Sequence, residues 1–272
     1  MKMKILAVTA LAVCLLCLGA CKLPFIKTNE PTVTARPTVR VTVPEGFTVY
    51  QIAKLLAEKK VCAAEDFMAA VNEPPAGNGF AAAITNAKER PFLLEGYVFP
   101  DTYDFYVGET AQSALGRFLK NTKAKLTGAD YAQAAKIGYT MDEILTIASI
   151  VQEESGFPKQ DAKVSSVLQN RLKSAAFPRL QFNVTFEYLD KSVAPVIKSG
   201  RAKYNALYNT YVHKGLPAGP ICNPGISAIK AALYPADTDY YYFVTDKNWN
   251  YYYAHTYAQH LANCKKAGVA TG

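Results

Sequence analysis

The sequence has few of the residues that most often bind metals. It contains three histidines, His213, His255 and His260. His255 and His260 are five residues apart, which does not place them on one face of a helix as a metal-binding pair requires, and His213 is isolated. We therefore predict no metal site and no cofactor.

Cysteine is also scarce outside the amino-terminal leader. Of six cysteines, Cys14 and Cys17 lie in the leader and Cys21 lies at its end. The others are three widely spaced residues, Cys62, Cys222 and Cys264. Such spacing predicts neither a zinc site nor a disulfide framework. It leaves open whether one pair of these cysteines forms a bridge.

The chain lacks the regular strand and helix alternation of a parallel sheet, so its mixed pattern predicts an α+β fold. Apolar periodicity and capping residues predict helices after Thr48 and at residues 64–72 and 111–126. Strands are predicted at residues 41–46, 240–245 and 250–253. We expect a small N-terminal βαα-type subdomain at residues 41–90, followed by a larger mixed α+β domain at residues 91–272.

The amino terminus combines a short basic segment with an apolar run. Lys2 and Lys4 precede uncharged residues 5–20, so residues 1–20 predict an export signal. The tetrapeptide at residues 18–21, LGAC, resembles a bacterial lipobox, which is cut before the cysteine. We expect a lipid on Cys21 and a location at the extracytoplasmic face of the cell membrane. The alternative is an uncleaved anchor, although the run is shorter than the roughly 20 apolar residues that a spanning helix prefers.

Residues 21–40 alternate proline, threonine and charge without an apolar period, which predicts an extended tether after the lipidated cysteine. The formal net charge of the chain is +8. A positive balance suits anionic membranes and cell-wall polymers as well as nucleic acid. Export favours the wall and the membrane, and we expect no nucleic-acid partner.

The stretch ASIVQEESG, residues 148–156, places two carboxylates at the end of an apolar run. Thr140 and Glu143 fit a capping box, and Gly156 with a proline at 158 ends the pattern, so residues 141–155 predict one helix. At about 100° per residue, Glu153 falls on the polar face, whereas Glu154 borders the apolar face.

Burial and the negative end of the helix dipole both favour the protonated form of Glu154. A carboxyl that stays neutral near pH 7 can act as a general acid. The simpler alternative is that Glu154 is a solvated charge at a helix end. For Gln152, on the apolar side, a hydrogen-bonded core amide is the simpler interpretation.

These residues resemble the endolytic murein transglycosylase family, the YceG-like proteins. In the first half of the chain the resemblance rests on VPEG at 43–46, EGY at 95–97 and FPDTY at 99–103. In the second half it rests, in the same order along the chain, on ASIVQEE at 148–154, NRL at 170–172, LQ at 180–181, Thr185, YNTY at 208–211, GLP at 215–217, PI at 220–221, PG at 224–225 and Thr256 with His260.

The resemblance implies that residues 91–272 form a catalytic domain of the YceG-like type, with Glu154 as the catalytic acid. The implied reaction cleaves the β-1,4 bond between N-acetylmuramic acid and N-acetylglucosamine within peptidoglycan strands. The muramyl C6 hydroxyl attacks in place of water and gives a 1,6-anhydro end. An internal hydroxyl lets one glutamate act first as acid and then as base, whereas glycoside hydrolases usually need two carboxylates.

The resemblance also indicates substrate-binding residues. Polar groups expected to bind sugar hydroxyls and N-acetyl groups are Gln181, Asn183, Thr185 and Asn209, with a turn-forming role in a loop as the alternative. Tyr208 and Tyr211 are expected to stack on sugar rings, and ordinary packing beside a loop is the alternative for both. Asn183 occupies a position where the family carries aspartate. Asparagine keeps the hydrogen bonds and loses the charge, which raises the alternative of a catalytically silent peptidoglycan-binding or scaffold lipoprotein. A water-using muramidase is a second alternative. Membrane-bound peptidoglycan synthases are the partners that the family implies.

Overall fold

The computed structural model describes residues 36–270, and these form one compact unit. Cys21, the expected leader and most of the expected tether lie outside the described residues. The tether prediction ended at Arg40, but strand β1 (Thr38–Thr42) already begins at Thr38. Ordered pairing therefore starts inside the predicted tether, because residues from Thr38 onward pair with strand residues 102–106. Arg40 also forms an exposed ion pair with Asp104 across the strands.

Helices dominate the described residues, and short 3-10 and π-helical turns lie at Ala87–Glu89 and Leu189–Val193. The α-helices are α1 (Val49–Glu58), α2 (Ala64–Asn72), α3 (Gly79–Ala83), α4 (Ala111–Lys125), α5 (Gly128–Lys136), α6 (Met141–Glu154), α7 (Pro158–Lys173), α8 (Asn183–Tyr188), α9 (Arg201–Tyr208), α10 (Ile226–Leu233) and α11 (Tyr257–Ala267). In the part of the chain that the structure covers, no helix is both long enough and apolar enough to cross a bilayer.

The strands form two separate antiparallel pairs. β1 pairs with β2 (Thr102–Tyr106), and β3 (Tyr242–Thr245) pairs with β4 (Tyr251–Ala254). The α+β class is confirmed, since helices and small sheets are mixed. The predicted subdomain division at residue 90 stays a prediction, but the backbone pairing of β1 with β2 crosses it.

The helix predicted from the glutamate motif is confirmed as α6, whose N-cap Thr140 and Glu143 form the expected capping box. Most of α6 is buried, including Ile144, Ile147 and Ile150. It packs against α5, α7, α8 and α10. The core therefore holds α6 along its length, and this packing fixes the position of its last residue, Glu154, at the end of the helix.

The other predicted helices and the two carboxyl-terminal strands agree closely with the structure. The strand predicted from residue 41 is instead β1, which spans Thr38–Thr42 and is followed by a turn at residues 45–46. The helix predicted at residues 64–72 is α2, the helix at 111–126 is α4, and the two tyrosine-rich strands are β3 and β4. Cys62, Cys222 and Cys264 are free thiols. The open question of a bridge among these three cysteines is therefore answered in the negative.

Candidate active site

The two adjacent glutamates at the end of α6 face different surroundings. Glu154 is half-buried, whereas Glu153 is exposed. Glu153 points toward the turn at Gly46, where an added Cβ would lie 2.8 Å from Glu153 Oε1. Gln152 accepts a hydrogen bond from the backbone N–H of Gly225 at 2.9 Å, which confirms the interpretation of Gln152 as a hydrogen-bonded amide.

Glu154 lines an open cleft of about 610 Å³. One wall comes from Arg171 on α7 and from residues 181–183, and the opposite wall comes from β3 and α11. The cleft lining is aromatic and polar, with Phe182, Tyr211, Phe243, Tyr257 and His260. Among the described residues that line the cleft, Glu154 is the only carboxyl.

The surroundings of Glu154 favour its protonated form. Burial raises the pKa of Glu154 to about 7, and the nearby charges of Glu187 and Glu153 add to this effect. The positive charge of Arg171 and the backbone N–H of Val184 act in the opposite direction. A carboxyl with a pKa near neutrality can give up a proton and take one back in the same reaction cycle.

Arg171 joins the two walls of the cleft. Its Nε donates to the Tyr241 carbonyl at 2.7 Å, next to β3, and its Nη1 donates to the Leu180 carbonyl at 2.6 Å. The guanidinium carbon also lies 5.1 Å from the ring centre of Phe182 and 5.6 Å from that of Tyr242. Arg171 therefore fixes the cleft geometry and brings a positive charge near Glu154.

The segment after Leu180 is held in an unusual backbone conformation. Gln181 has a φ of 57°, in the left-handed region that residues other than glycine seldom adopt. Its backbone N–H donates to the Thr210 carbonyl at 3.1 Å. The Thr210 hydroxyl accepts from the Phe182 N–H at 2.9 Å and lies 3.0 Å from the Thr185 hydroxyl. This buried network holds the exposed Gln181 side chain at the cleft.

Asn183 and Tyr211 form a polar pair at the cleft. The Tyr211 hydroxyl donates to Asn183 Oδ1 at 2.6 Å. Tyr211 is 44% exposed, so its ring is available to a sugar. The asparagine carbonyl oxygen accepts the hydrogen bond that one aspartate oxygen would accept, so Asn183 preserves this contact without a second negative charge.

The structure brings Glu154, Gln181, Asn183 and Tyr211 together around one cleft. Thr185 and Tyr208 are fully buried, and neither lines the cleft. The prediction that these two side chains contact substrate is therefore corrected. Thr185 supports the loop through Thr210, and the Tyr208 ring packs 5.6 Å from that of Tyr188.

Asn209 also lies outside the cleft lining. It is the C-cap residue of α9, and its Oδ1 accepts from the Tyr211 N–H at 3.0 Å. This contact shapes the turn that presents Tyr211. The predicted binding role of Asn209 stays a prediction, and the structure adds a role in positioning Tyr211.

Arg171, Tyr257 and His260 line the cleft, although sequence reasoning gave them no role. Arg171 and His260 lie within motifs that carried the family resemblance, but an arginine on a helix and a single histidine have many structural explanations. Burial and the charge of Arg171 lower the pKa of His260, and its ring stacks 5.1 Å from that of Tyr242. The contribution of α11 could not be found from a local pattern, because it depends on how the carboxyl-terminal hairpin packs.

Comparison with known families identifies the group to which this protein is related. The sequence profile of the YceG-like family matches residues 27–266. The chain belongs to the YceG-like family. The match covers all the cleft side chains named above, so the cleft is a part of the family domain.

Two curated relatives have the name endolytic murein transglycosylase. The protein from Bacillus subtilis is 30% identical over 229 residues, covering 81% of this chain and 63% of the relative. The protein from Streptococcus pneumoniae strain D39 is 29% identical over 255 residues, covering 87% of this chain and 45% of the relative. The chain thus spans about half to two thirds of the length of these relatives.

A solved structure supports the same assignment. The crystal structure of a yceG-like protein from Listeria monocytogenes is similar, with a TM-score of 0.67 and 28% identity. The similarity covers 82% of this chain and 75% of the Listeria chain. The YceG-like fold therefore includes most of the described residues.

Proposed function

We propose that this protein is an endolytic peptidoglycan lytic transglycosylase with Glu154 as its single general acid and base. The observation that carries the proposal is the cleft with one carboxyl, Glu154, whose pKa is raised to about 7. The names of the two curated relatives support the reaction class. The proposed substrate is a glycan strand of peptidoglycan, and the proposed site of cleavage is the β-1,4 bond between N-acetylmuramic acid and N-acetylglucosamine.

In the first step, the protonated Glu154 carboxyl gives its proton to the glycosidic oxygen. The bond from the muramyl C1 to that oxygen breaks, and positive charge develops on the sugar ring. In the second step, the Glu154 carboxylate takes the proton of the muramyl C6 hydroxyl while the C6 oxygen bonds to C1. The products are a free hydroxyl on N-acetylglucosamine and a 1,6-anhydro ring, and Glu154 is again protonated.

The residues around Glu154 suit this sequence of steps. The positive charge of Arg171 stabilises the carboxylate that forms after the first proton transfer. Gln181 and Asn183 offer hydrogen-bonding groups to hydroxyls and N-acetyl groups, and Tyr211 offers an exposed ring. Glu154 is the only carboxyl among the described cleft residues, which favours transglycosylation over hydrolysis, because a water-using enzyme usually needs a second carboxylate to activate water or form an intermediate.

The proposal includes the location. An export signal ending at Cys21 and a lipid on that cysteine would hold the enzyme at the extracytoplasmic face of the cell membrane, where new glycan strands emerge. Membrane-bound peptidoglycan synthases are the proposed partners. Mass spectrometry of the intact protein extracted from its membrane tests this part, since a diacylglycerol adduct on a chain beginning at Cys21 is expected. An unmodified chain that still begins at Met1 would contradict it.

The reaction is tested by mass spectrometry of glycan products. The chain from residue 21 onward, with Cys21→Ser so that it carries no lipid, is incubated with uncrosslinked peptidoglycan beside the Glu154→Gln variant. New 1,6-anhydro ends that disappear in the variant are expected. Reducing ends would instead identify a muramidase, and glycan binding without cleavage would identify a silent binding protein.

A further inference from the structure

A second, larger pocket lies at the other end of α6. Its volume is about 910 Å³, and it is bounded by α3, α4, and the beginnings of α5 and α6. Met141, the first residue of α6, lines this pocket, whereas Glu154, the last residue, lines the cleft. Fourteen helical residues separate the two sites by about 20 Å. The second pocket is therefore distinct from the candidate active site.

The inner surface of this pocket is largely apolar. Phe80, Leu119, Leu126 and Met141 contribute to its walls, together with Tyr131, which is 44% exposed. The ring of Phe80 lies 5.2 Å from that of Tyr97 and forms part of the base. Such a surface suits a hydrocarbon chain rather than a sugar, because sugar hydroxyls would lose hydrogen bonds to water there without replacement.

The carboxylate that lines this pocket, Asp142, is already paired with a cation. Asp142 forms an ion pair with Arg90 and accepts a hydrogen bond from the Tyr97 hydroxyl at 2.6 Å. It therefore adds little free negative charge to the pocket. An anionic ligand would not be repelled from this site by an unpaired acid.

Lysines on α4 stand at the rim of the pocket. Lys120 and Lys123 are both exposed and lie one helical turn apart. The other two cations of α4 are paired, Arg117 with Glu109 and Lys125 with Asp101. Within residues 36–270, by contrast, neither Lys120 nor Lys123 has a carboxylate partner. Helix α4 itself contains no acidic residue.

We infer that this pocket binds an anionic phospholipid, with an acyl chain against Phe80, Leu119 and Met141 and the phosphate at Lys120 and Lys123. The complementarity is twofold, since the apolar walls match the chain and the two unpaired ammonium groups match the phosphate. The proposed location at the membrane supplies the source of the lipid. The diacylglycerol proposed on Cys21 would anchor the chain, but the catalytic domain follows a tether, and a second contact with anionic lipid would add membrane affinity at the domain itself. The site would thus hold the catalytic domain against the bilayer.

The test uses the chain from residue 21 onward with Cys21→Ser and a short-chain phosphatidylglycerol that stays monomeric in solution, with binding measured by calorimetry. The double variant Lys120→Gln/Lys123→Gln is expected to bind roughly 30-fold more weakly, since each lysine near an anionic lipid contributes about a factor of five. Tyr131→Glu, which places a negative charge at the exposed edge of the apolar wall, is expected to weaken binding as well. Short-chain phosphatidylcholine and free glycerol phosphate should bind the unaltered protein weakly.

The matched control is Lys159→Gln/Lys163→Gln, which removes two exposed lysines from α7. It should bind phosphatidylglycerol as tightly as the unaltered protein. Equal weakening in both double variants would show general charge attraction and overturn the inference, and so would unchanged binding in Lys120→Gln/Lys123→Gln. Free glycerol phosphate that binds as tightly as the lipid would indicate a phosphate site instead. Glu154→Gln should bind lipid normally, so a failure of the proposed reaction and a failure of the lipid site are distinguishable.

Discussion

The half-buried Glu154 and the buried Glu95, two carboxyls whose pKa values are strongly raised, lie in very different parts of this protein. Burial raises the pKa of Glu154 to about 7 in the cleft and the pKa of Glu95 to about 8 near the start of α1. Glu95 is 1% exposed, and both of its carboxyl oxygens accept hydrogen bonds from other protein groups. Its Oε1 accepts from the Val49 N–H at 2.9 Å and from Asn223 at 3.0 Å, and its Oε2 accepts from Tyr188 at 3.2 Å.

The difference shows that a raised pKa alone does not identify a catalytic acid. Both carboxyls lose solvation, but only Glu154 lines a cleft that a substrate can enter. The Glu95 carboxyl connects α1, the loop at Asn223 and the Tyr188 side chain through hydrogen bonds. Its role is therefore to stabilise the fold. Substrate access therefore distinguishes Glu154 from Glu95, and the predictions below test this difference.

The largest expected effect is the loss of cleavage in Glu154→Gln. Glutamine has nearly the same shape but cannot give a proton to the leaving oxygen, and general acid and base catalysis contributes roughly 10²- to 10⁴-fold. The initial rate of glycan cleavage should fall by at least that factor, while thermal unfolding changes little. Glu153→Gln is the matched control, because Glu153 lies outside the cleft lining, and its rate should stay within about twofold. A slow Glu153 variant beside an active Glu154 variant would reverse the assignment.

Much of this site could be predicted from the local pattern. The helical period and the capping box of α6 place Glu153 and Glu154 on different faces, and the structure gives them different surroundings. The period works here because the core holds α6 straight against four other helices. Fold class, α2 and the two tyrosine-rich strands follow from similar local signals.

Long-range packing decides the rest. Thr185 and Tyr208 lie in polar and aromatic motifs that look suitable for sugar binding, yet both are buried. Only the tertiary structure shows that Thr185 faces Thr210, 25 residues later. Arg171 likewise gains its position from two carbonyls in separate segments and from aromatic rings that surround it. No spacing rule predicts such contacts.

The second prediction concerns how Arg171 organises the cleft. Arg171→Met removes the donors to the Leu180 and Tyr241 carbonyls and the positive charge near Glu154. We expect cleavage to slow by roughly 10- to 100-fold, since small displacements of catalytic groups cost about this much. The alkaline limb of the pH–rate profile should move to higher pH, because the loss of a cation raises the pKa of Glu154 further.

Arg171→Lys separates charge from geometry. Lysine keeps the charge but cannot donate to both carbonyls in the same fork, so the pH limb should stay near its original position while the rate still falls. Arg179→Met, which removes an exposed arginine outside the cleft, is the control. If Arg171→Met kept both the original rate and the original pH profile, Arg171 would be no more than a packing residue.

A third prediction asks what a second acid would do in the cleft. Asn183→Asp places beside the Tyr211 hydroxyl the acid that the family carries at this position. A negative charge there stabilises the positive charge that develops on the sugar ring, so we expect cleavage to be faster by up to about tenfold, with 1,6-anhydro ends as the products. Mass spectrometry gives the rate and the ratio of anhydro to reducing ends. Asn205→Asp, an equivalent change at an exposed position of α9, should leave both unchanged. Reducing ends in Asn183→Asp would mean that the charge at this position governs the choice of nucleophile.

The smallest expected effect on cleavage is at Glu95, where we expect a change in stability without a change in activity. The native state keeps a proton on Glu95 up to about pH 8, whereas the unfolded chain releases it near the ordinary glutamate pKa. Between these values the unfolded state binds fewer protons, so the free energy of unfolding falls as pH rises. Glu95→Gln resembles the protonated carboxyl and should remove this decline. At about 1.4 kcal/mol per pKa unit, its gain over the unaltered protein should be several kcal/mol at pH 9 and less than about 1 kcal/mol at pH 5.

Urea unfolding of both proteins at the two pH values measures this difference, and Glu89→Gln, at an exposed glutamate nearby in the sequence, is the control. A gain that is equal at pH 5 and pH 9 would mean that Glu95 is already ionised in the native protein. Glu95→Gln should also cleave glycan at the unaltered rate. The two variants would then have opposite effects, since Glu154→Gln changes the cleavage rate and not the stability, whereas Glu95→Gln changes the stability and not the cleavage rate. A slow Glu95→Gln enzyme with unchanged stability would break that separation and connect the buried carboxyl to catalysis.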